Sequence, residues 1–212
     1  MIIEAKGLLF DNDGVLVDSH PAAKAAWDQW SREYGQDFDI DQNAGRRAQD
    51  LVLAMVGADL FEAANNRINQ LEQDTAHETL ALGGAVELLH SLSAGTWTVC
   101  TSANRNLGRA RLAAAGLPIP AELVTADDVE LGKPNPDPYL LGASRLGLAA
   151  GECVVFEDAE AGVMSGRAAS VAMVIGVSER ALETSADIVI RDLSAVTFVS
   201  GQLYIPDENR LR

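Results

Sequence analysis

The stretch Asp11-Asn12-Asp13-Gly14 places two carboxylates two residues apart, directly after the apolar run Leu8-Leu9-Phe10. In extended chain, residues i and i+2 project to the same side, so both acids can serve one site. By itself the tetrapeptide also reads as an acidic turn closing a strand. A calcium loop is excluded, because Val15 takes the next ligand position and no Glu closes a twelve-residue loop. The chemical reading is a nucleophile and an acid/base on one loop. One carboxylate attacks phosphorus and forms an aspartyl phosphate. The second protonates the departing oxygen and then activates water.

Three further stretches carry matching chemistry. Thr101-Ser102-Ala103-Asn104 follows Val99-Cys100. Hydroxyls at a strand end are common as turn or cap residues, and beside a phosphoryl group they would donate to its oxygens. Lys133 is one of only three lysines, with Lys6 and Lys24, in a chain of 16 basic residues. It is held between Gly132 and Pro134, and Pro134, Pro136 and Pro138 would stiffen the loop that aims it. A lysine there can neutralise both the nucleophile and the transferring phosphoryl charge; the plainer alternative is a solvated surface amine. Glu157-Asp158 follows Val154-Val155-Phe156. An acidic pair at the end of a buried strand is costly unless a cation or a donor satisfies it. With Asp11 it can supply oxygen ligands for Mg²⁺.

These groups need elements to position them. Gly7–Phe10, Trp97–Cys100, Leu123–Val124, Cys153–Phe156, Val171–Ile175 and Ile188–Ile190 are continuous apolar runs rather than alternating ones. That pattern predicts strands buried on both faces of a parallel sheet. Helical patterns lie between them: Ala85–Leu92, Leu107–Ala115 closed by Gly116, Pro138–Leu146 stopping at Gly147, and Ala159–Ala169. The alternation predicts a doubly wound α/β core with right-handed crossovers. Ligands of such sheets bind outside the carboxyl ends of the strands, where the four stretches fall.

The segment Asp18–Leu82 lacks a strand run and reads as helices over Pro21–Tyr34, Ala44–Val56 and Phe61–Leu80. Pro21 suits a first helical turn, with Ser19 as its cap. Trp27, Trp30, Leu51, Leu53 and Leu71 are its expected small core. The expected organisation is an α/β core of residues 1–17 and 83–212, with a helical cap, 18–82, inserted after the first strand. Val15–Asp18 and Gly83-Gly84 would be the hinges.

Composition narrows the partners. The 212 residues are 48% hydrophobic and 22% charged, an ordinary globular balance. Asp and Glu total 31 against 16 Lys and Arg, a net charge of −15. Such a surface repels nucleic acid and anionic membranes, so neither is expected as a partner. It also repels anionic substrates, so a phosphate site here needs a metal or a focused basic pocket. Cys100 and Cys153 sit in apolar runs and read as buried small hydrophobes in a reducing compartment. No signal-peptide or membrane-span pattern is visible, and the expectation is a cytoplasmic monomer. No G-x-G-x-x-G follows the first strand, which argues against a nucleotide cofactor.

The motifs FDNDGVLVDS (10–19), VCTSA (99–103), GKPNPDPY (132–139) and VFEDAEAG (155–162), in this order and spacing, resemble the haloacid dehalogenase superfamily. The helical insert lies where the first cap class of that superfamily is found. VTADDVELGKPNPDPYLLG and HETLALGGAVELL, with AGRRAQDLV (44–52), are similar to its glycerol-3-phosphatase and 2-deoxyglucose-6-phosphatase type. The resemblance implies Asp11 as nucleophile, Asp13 as general acid/base and Lys133 as charge clamp. Thr101, Ser102 and Ala103 would bind phosphate. It also implies Mg²⁺ on the Asp11 side chain, the Asp13 carbonyl and Asp158, with Glu157 in support. Asn12 stands where relatives often carry Leu or Met, and Val15 where many carry Thr.

The function this implies is a Mg²⁺-dependent phosphatase for small phosphorylated metabolites, sugar or polyol phosphates. Arg46 and Arg47 are the cap residues expected to reach substrate, through a planar fork suited to phosphate and polyol oxygens; surface ion pairing with cap acids is the alternative for each. The closest rival is a β-phosphoglucomutase-like phosphosugar mutase using the same motifs. A phosphoaspartate receiver is shorter, lacks the helical insert and carries its acceptor Asp on a later strand.

Overall fold

The computed structural model describes residues 1–212. Ten strands form: β1 (Ile2–Glu4), β2 (Gly7–Phe10), β3 (Val17–Asp18), β4 (Leu80–Ala81), β5 (Trp97–Val99), β6 (Cys153–Glu157), β7 (Met173–Val177), β8 (Ile188–Ile190), β9 (Thr197–Val199) and β10 (Gln202–Tyr204). Seven helices accompany them: α1 (His20–Tyr34), α2 (Ala48–Val56), α3 (Ala58–Thr75), α4 (Ala85–Ser91), α5 (Arg105–Ala114), α6 (Asp137–Arg145) and α7 (Glu160–Ala168).

The runs without polar alternation make the central sheet, because both of its faces are covered by helices. It has five parallel strands in the order β5-β2-β6-β7-β8. Every residue of β2 and β6 is buried. Phe10 lies in register with Val99 on one side and Phe156 on the other, and the Phe10 and Phe156 rings stack with centroids 4.8 Å apart. That register brings the carboxyl ends of β2, β5 and β6 to one edge. Asp11, Thr101 and Asp158 therefore emerge side by side although they are distant in sequence.

Two expected strands differ. Leu123–Val124 forms no strand; it contributes a single parallel bridge, Val124 to Cys100, beside the end of β5. The run expected over Val171–Ile175 is shifted to Met173–Val177, because Ser170 turns the chain with φ 58° before the sheet is reached.

The helical block keeps its three helices with moved ends. The second begins at Ala48 rather than Ala44, after Gly45 takes φ 78°. The third runs Ala58–Thr75 rather than Phe61–Leu80, because Leu80–Ala81 pair with Val17–Asp18 as an antiparallel ribbon. Pro21 occupies the first turn of α1 as expected, but the Ser19 side chain makes no cap bond. Its hydroxyl donates to Asp13 Oδ1 instead. Trp27, Trp30, Leu51 and Leu71 are buried together with Val52, Ala64 and Ile68. Leu53 falls on the outer face of α2, 48% exposed. Gly83 and Gly84 pack against Asp192–Ser194, where a Cβ on Gly84 would overlap backbone. The chain passes between block and sheet through the β3–β4 ribbon.

A third sheet, β1-β10-β9, joins the two ends of the chain in antiparallel register. Leu203 and Ile205 are fully buried in the main core, so the segment after Ser200 closes the sheet's covering. Both cysteines are free and buried. No helix is long and apolar enough to cross a membrane.

Candidate active site

The buried centre joins side chains at the ends of β2 and β6 to Lys133 of the loop before α6 and Tyr139 of α6. Lys133 Nζ donates to Asp11 Oδ1 and to Glu157 Oε1, each at 2.7 Å. The Tyr139 hydroxyl also donates to Glu157 Oε1, and Lys133 Nζ lies 5.2 Å from the centre of the Tyr139 ring. Ligand oxygens of Asp11, Glu157 and Asp158 lie within 4.8 Å of one another, and all three residues are buried. One ammonium faces three carboxyl groups. Burial, and next Glu157, pushes the Asp11 carboxyl well above the usual carboxylate range. Burial and Glu157 likewise push Asp158 up to about 7. Burial alone would disfavour the Lys133 charge, but Asp11 and Glu157 outweigh it and hold the ammonium above the ordinary lysine range.

A dry cluster with an excess of acid is the charge pattern a cation completes. The donor set is all oxygen, which fits a hard divalent ion. Two glycines permit it. A Cβ on Gly162 would overlap the Glu157 carboxylate, and one on Gly14, at φ 82°, would overlap Asp158. Glu157 Oε1 is already engaged by Lys133 and Tyr139, and its Oε2 accepts from the Asp158 amide at 3.2 Å, so Glu157 braces the cluster from beneath.

Asp13 sits on the same loop with different neighbours. Besides Ser19, its Oδ1 lies 3.1 Å from Arg111 Nη1, and its Oδ2 accepts from Thr101 Oγ1 at 3.4 Å. Arg111 is buried on α5, and its Nη2 donates to Glu72 Oε1 of α3 at 3.1 Å. Glu72 is itself buried, and its carboxyl is pushed up chiefly by that burial. Arg111 and Glu72 escape a reading of short motifs, whereas Ser19 and Tyr139 stand inside the motifs at 10–19 and 132–139 without a role at the site being assigned to them. A signal for the first two exists: each is a charge placed on the buried stripe of its helix, beside Leu107 and Leu112 or beside Ile68 and Leu71.

A cavity of about 220 Å³ opens between sheet edge and helical block. Of the candidate residues it is lined by Asp11, Asp13, Ser102, Ala103, Arg46, Arg47 and Asp158. Thr101, Lys133 and Glu157 lie behind that wall: Thr101 Oγ1 accepts from the Ala103 amide at 3.1 Å and touches Asp13, and Lys133 reaches Asp11 from below. Ser102 Oγ donates to the Gly45 carbonyl at 2.6 Å, drawing the 43–47 loop against the 101–104 turn. Arg46 is exposed and lines the cavity.

Arg47 departs from the expectation. It is buried, pairs with Asp50 at 2.7 and 2.8 Å, and donates to the Val129 and Glu130 carbonyls at 3.0 Å each. Its guanidinium is committed to tying the helical block to the loop at 129–130 of the α/β core, leaving little donor capacity for a ligand. His20 lines the cavity, with Nε2 3.6 Å from Asp41, whereas His77 and His90 are exposed.

Asn12 is the one discordant residue of the first loop. It is 0% exposed, and neither its Oδ1 nor its Nδ2 has a partner. A buried unpaired carboxamide costs about 1–3 kcal/mol. Asn12→Leu, similar in size, is expected to raise stability by that order, read as a higher urea midpoint at unchanged m-value; an unchanged or lower midpoint would refute the account.

The model of the haloacid dehalogenase-like hydrolase family matches residues 5–170. Hexitol phosphatase A of Escherichia coli is 40% identical over 205 residues, covering 92% of this chain and 94% of that protein. Glycerol-1-phosphate phosphohydrolase 2 of Saccharomyces cerevisiae is 34% identical over 197 residues, 83% of this chain and 76% of that one. The crystal structure of a hydrolase from Pseudomonas syringae superposes with a TM-score of 0.79 at 27% identity, over 89% of this chain and 94% of that chain.

Proposed function

Because the chain belongs to the haloacid dehalogenase-like hydrolase family, we propose that it is a Mg²⁺-dependent phosphatase of small sugar or polyol phosphates, working through an aspartyl phosphate on Asp11. The observation that carries this reading is the convergence of Asp11 and Asp13 on one cavity, with Lys133 Nζ 2.7 Å from the Asp11 carboxylate. Relatives named as hexitol and glycerol phosphatases support the substrate class.

The Asp11 carboxylate attacks phosphorus in line, and Lys133 offsets repulsion between that carboxylate and the incoming dianion. The Ser102 amide is left to orient the phosphoryl oxygens, with Thr101 fixing the turn, since the Ser102 hydroxyl is given to the Gly45 carbonyl and the Ala103 amide to Thr101 Oγ1. Asp13 donates a proton to the leaving alkoxide, a contribution of roughly 10²–10⁴-fold, and then takes one from the water that opens the aspartyl phosphate. Asp11, Asp158 and the Asp13 main-chain carbonyl would hold Mg²⁺, braced by Glu157; bound there, the ion supplies Lewis-acid neutralisation of phosphoryl charge. Residues 18–82 act as the cap over a core of 1–17 and 83–212, excluding bulk water and contacting the organic part, with Arg46 its available cation.

Commitment of Arg47 to Asp50 and two carbonyls weighs against a cap that grips a second phosphate, as a mutase requires. The test is phosphate release from a panel of hexitol, sugar and glycerol phosphates, with Mg²⁺ and after chelation. Release in Mg²⁺ that chelation abolishes is expected. No release from any ester, or conversion of glucose 1-phosphate to its isomer with a bisphosphate primer, overturns the proposal.

A further inference from the structure

We propose that Asn65 selects the length of the substrate's hydroxylated chain, favouring long open-chain polyol monophosphates over three-carbon ones; this deepens the phosphatase reading above and rests on it. Helix α3 turns Asn65, Asn69 and Glu72 toward the cavity, at helical spacings of four and three residues. Two of these side chains are committed. Glu72 accepts from Arg111, and Asn69 Oδ1 accepts from Asn104 Nδ2 at 3.1 Å. Asn104 is fixed in turn, its Oδ1 capping α5 at the Leu107 amide, 2.9 Å away.

Asn65 differs from both. Its Oδ1 is buried from solvent and has no partner. The backbone around it is rigid: Trp30 Nε1 donates to the neighbouring Ala64 carbonyl at 2.8 Å, and Ala64 and Ile68 are fully buried. A carboxamide on a fixed helix, in the wall of a cavity and without protein partners, turns its unpaired Nδ2 to the cavity, and rotation of the terminal group presents Oδ1, so it can pair with a neutral hydroxyl. A substrate that pairs it removes the penalty of leaving it unpaired.

Position supplies the length criterion. Glu72 communicates with Asp13 through the single guanidinium of Arg111, so it marks the end of the cavity where the bond is broken. Asn65 is seven residues earlier, about 10 Å along the helix at 1.5 Å per residue. A three-carbon polyol held by its phosphate at Asp11 ends short of that point; an extended six-carbon chain reaches it. Ala23, Trp27, Phe38 and Ile40 add apolar lining to the same cavity, with the Trp27 and Phe38 rings stacked at 4.2 Å. That lining suits the C–H side of a chain whose hydroxyls face α3.

The experiment compares the parent with Asn65→Leu on a hexitol 6-phosphate, glycerol 3-phosphate and p-nitrophenyl phosphate, with KM and kcat determined separately. For the hexitol ester kcat/KM is expected to fall about tenfold or more, mainly through KM, as for loss of a hydrogen bond to a buried group. The other two esters are expected to stay within about twofold, because the glycerol chain ends short of the residue and p-nitrophenyl phosphate carries no hydroxyl to pair with it. An equal loss on all three esters, or no loss on the hexitol ester, overturns the inference. If leucine does not fit, Asn65→Ala carries the same expectations. A parent that releases phosphate from none of the three rejects the phosphatase reading and this inference with it; a parent active on all three, with a uniform loss in the variant, rejects the inference alone.

Discussion

Asp11→Asn is expected to abolish turnover while leaving the protein folded. The carboxamide keeps one oxygen in place to accept from Lys133 Nζ, which the parent holds at 2.7 Å, but it cannot form the acyl phosphate. Loss of a nucleophile typically lowers kcat by about 10⁴-fold or more. The stability effect has a definite sign. In the folded protein the Asp11 carboxyl is raised above its ordinary value of 3.8, first by burial and then by Glu157. An acid raised on folding destabilises the native state progressively as pH climbs through the interval between its unfolded and folded values. At neutral pH the metal-free Asn variant should therefore be as stable as the parent or more so. Thermal unfolding and phosphate release on the same preparation check both halves, and near-parental turnover in a folded Asn variant would remove Asp11 from its assigned role.

Lys133→Met is expected to damage activity and stability together, and the second effect depends on pH. Lys133 is buried and contacts both Asp11 and Glu157. Its own ionisation is raised on folding, so its contribution is fully present below the ordinary lysine value and is intact at neutral pH in the parent. Removing it leaves buried carboxylates unpaired, a loss of about 3–5 kcal/mol. Protonation relieves that loss. The deficit should be largest near pH 8, where Asp158, raised to about 7 in the parent, is ionised, and should shrink toward pH 5. Urea denaturation of parent and variant at the two pH values measures this directly. Activity is expected to fall by roughly 10²–10³-fold, as for loss of a charge-stabilising donor. A deficit that is the same at both pH values would mean that Lys133 acts through packing rather than through charge.

The sequence was legible where a function is written within a few contiguous residues. Asp11 and Asp13 must share a loop, and Glu157 and Asp158 must end a buried strand, so the backbone alone brings each pair together. The β2, β5 and β6 strands were readable for the same reason, as runs buried on both faces. Legibility failed for contacts made by side chains from separate elements. Arg47 looked like a ligand for substrate, yet its partners Val129 and Glu130 lie 82 and 83 residues away in the chain. Ser19 looked like a helix cap, but a nearby carboxylate competed successfully for its hydroxyl. Leu53 fits an apolar pattern, and only the tilt of α2 decides that it faces outward.

What the amino-acid order determined by itself was the α/β alternation, the parallel sheet, the acids and hydroxyls at its strand ends and the lysine in its Gly-Lys-Pro loop, because strand period and loop spacing are local properties of the chain. Only the tertiary structure decided that Arg111 and Glu72 join the helical block to Asp13, that Arg47 is a brace, and that Asn65 stands unpaired in the cavity wall. Those outcomes depend on which surfaces meet in the fold, α3 over α5 for Arg111 and Glu72 and the Arg47 turn over the 129–130 loop, relations among residues 39 to 83 positions apart that no local pattern encodes.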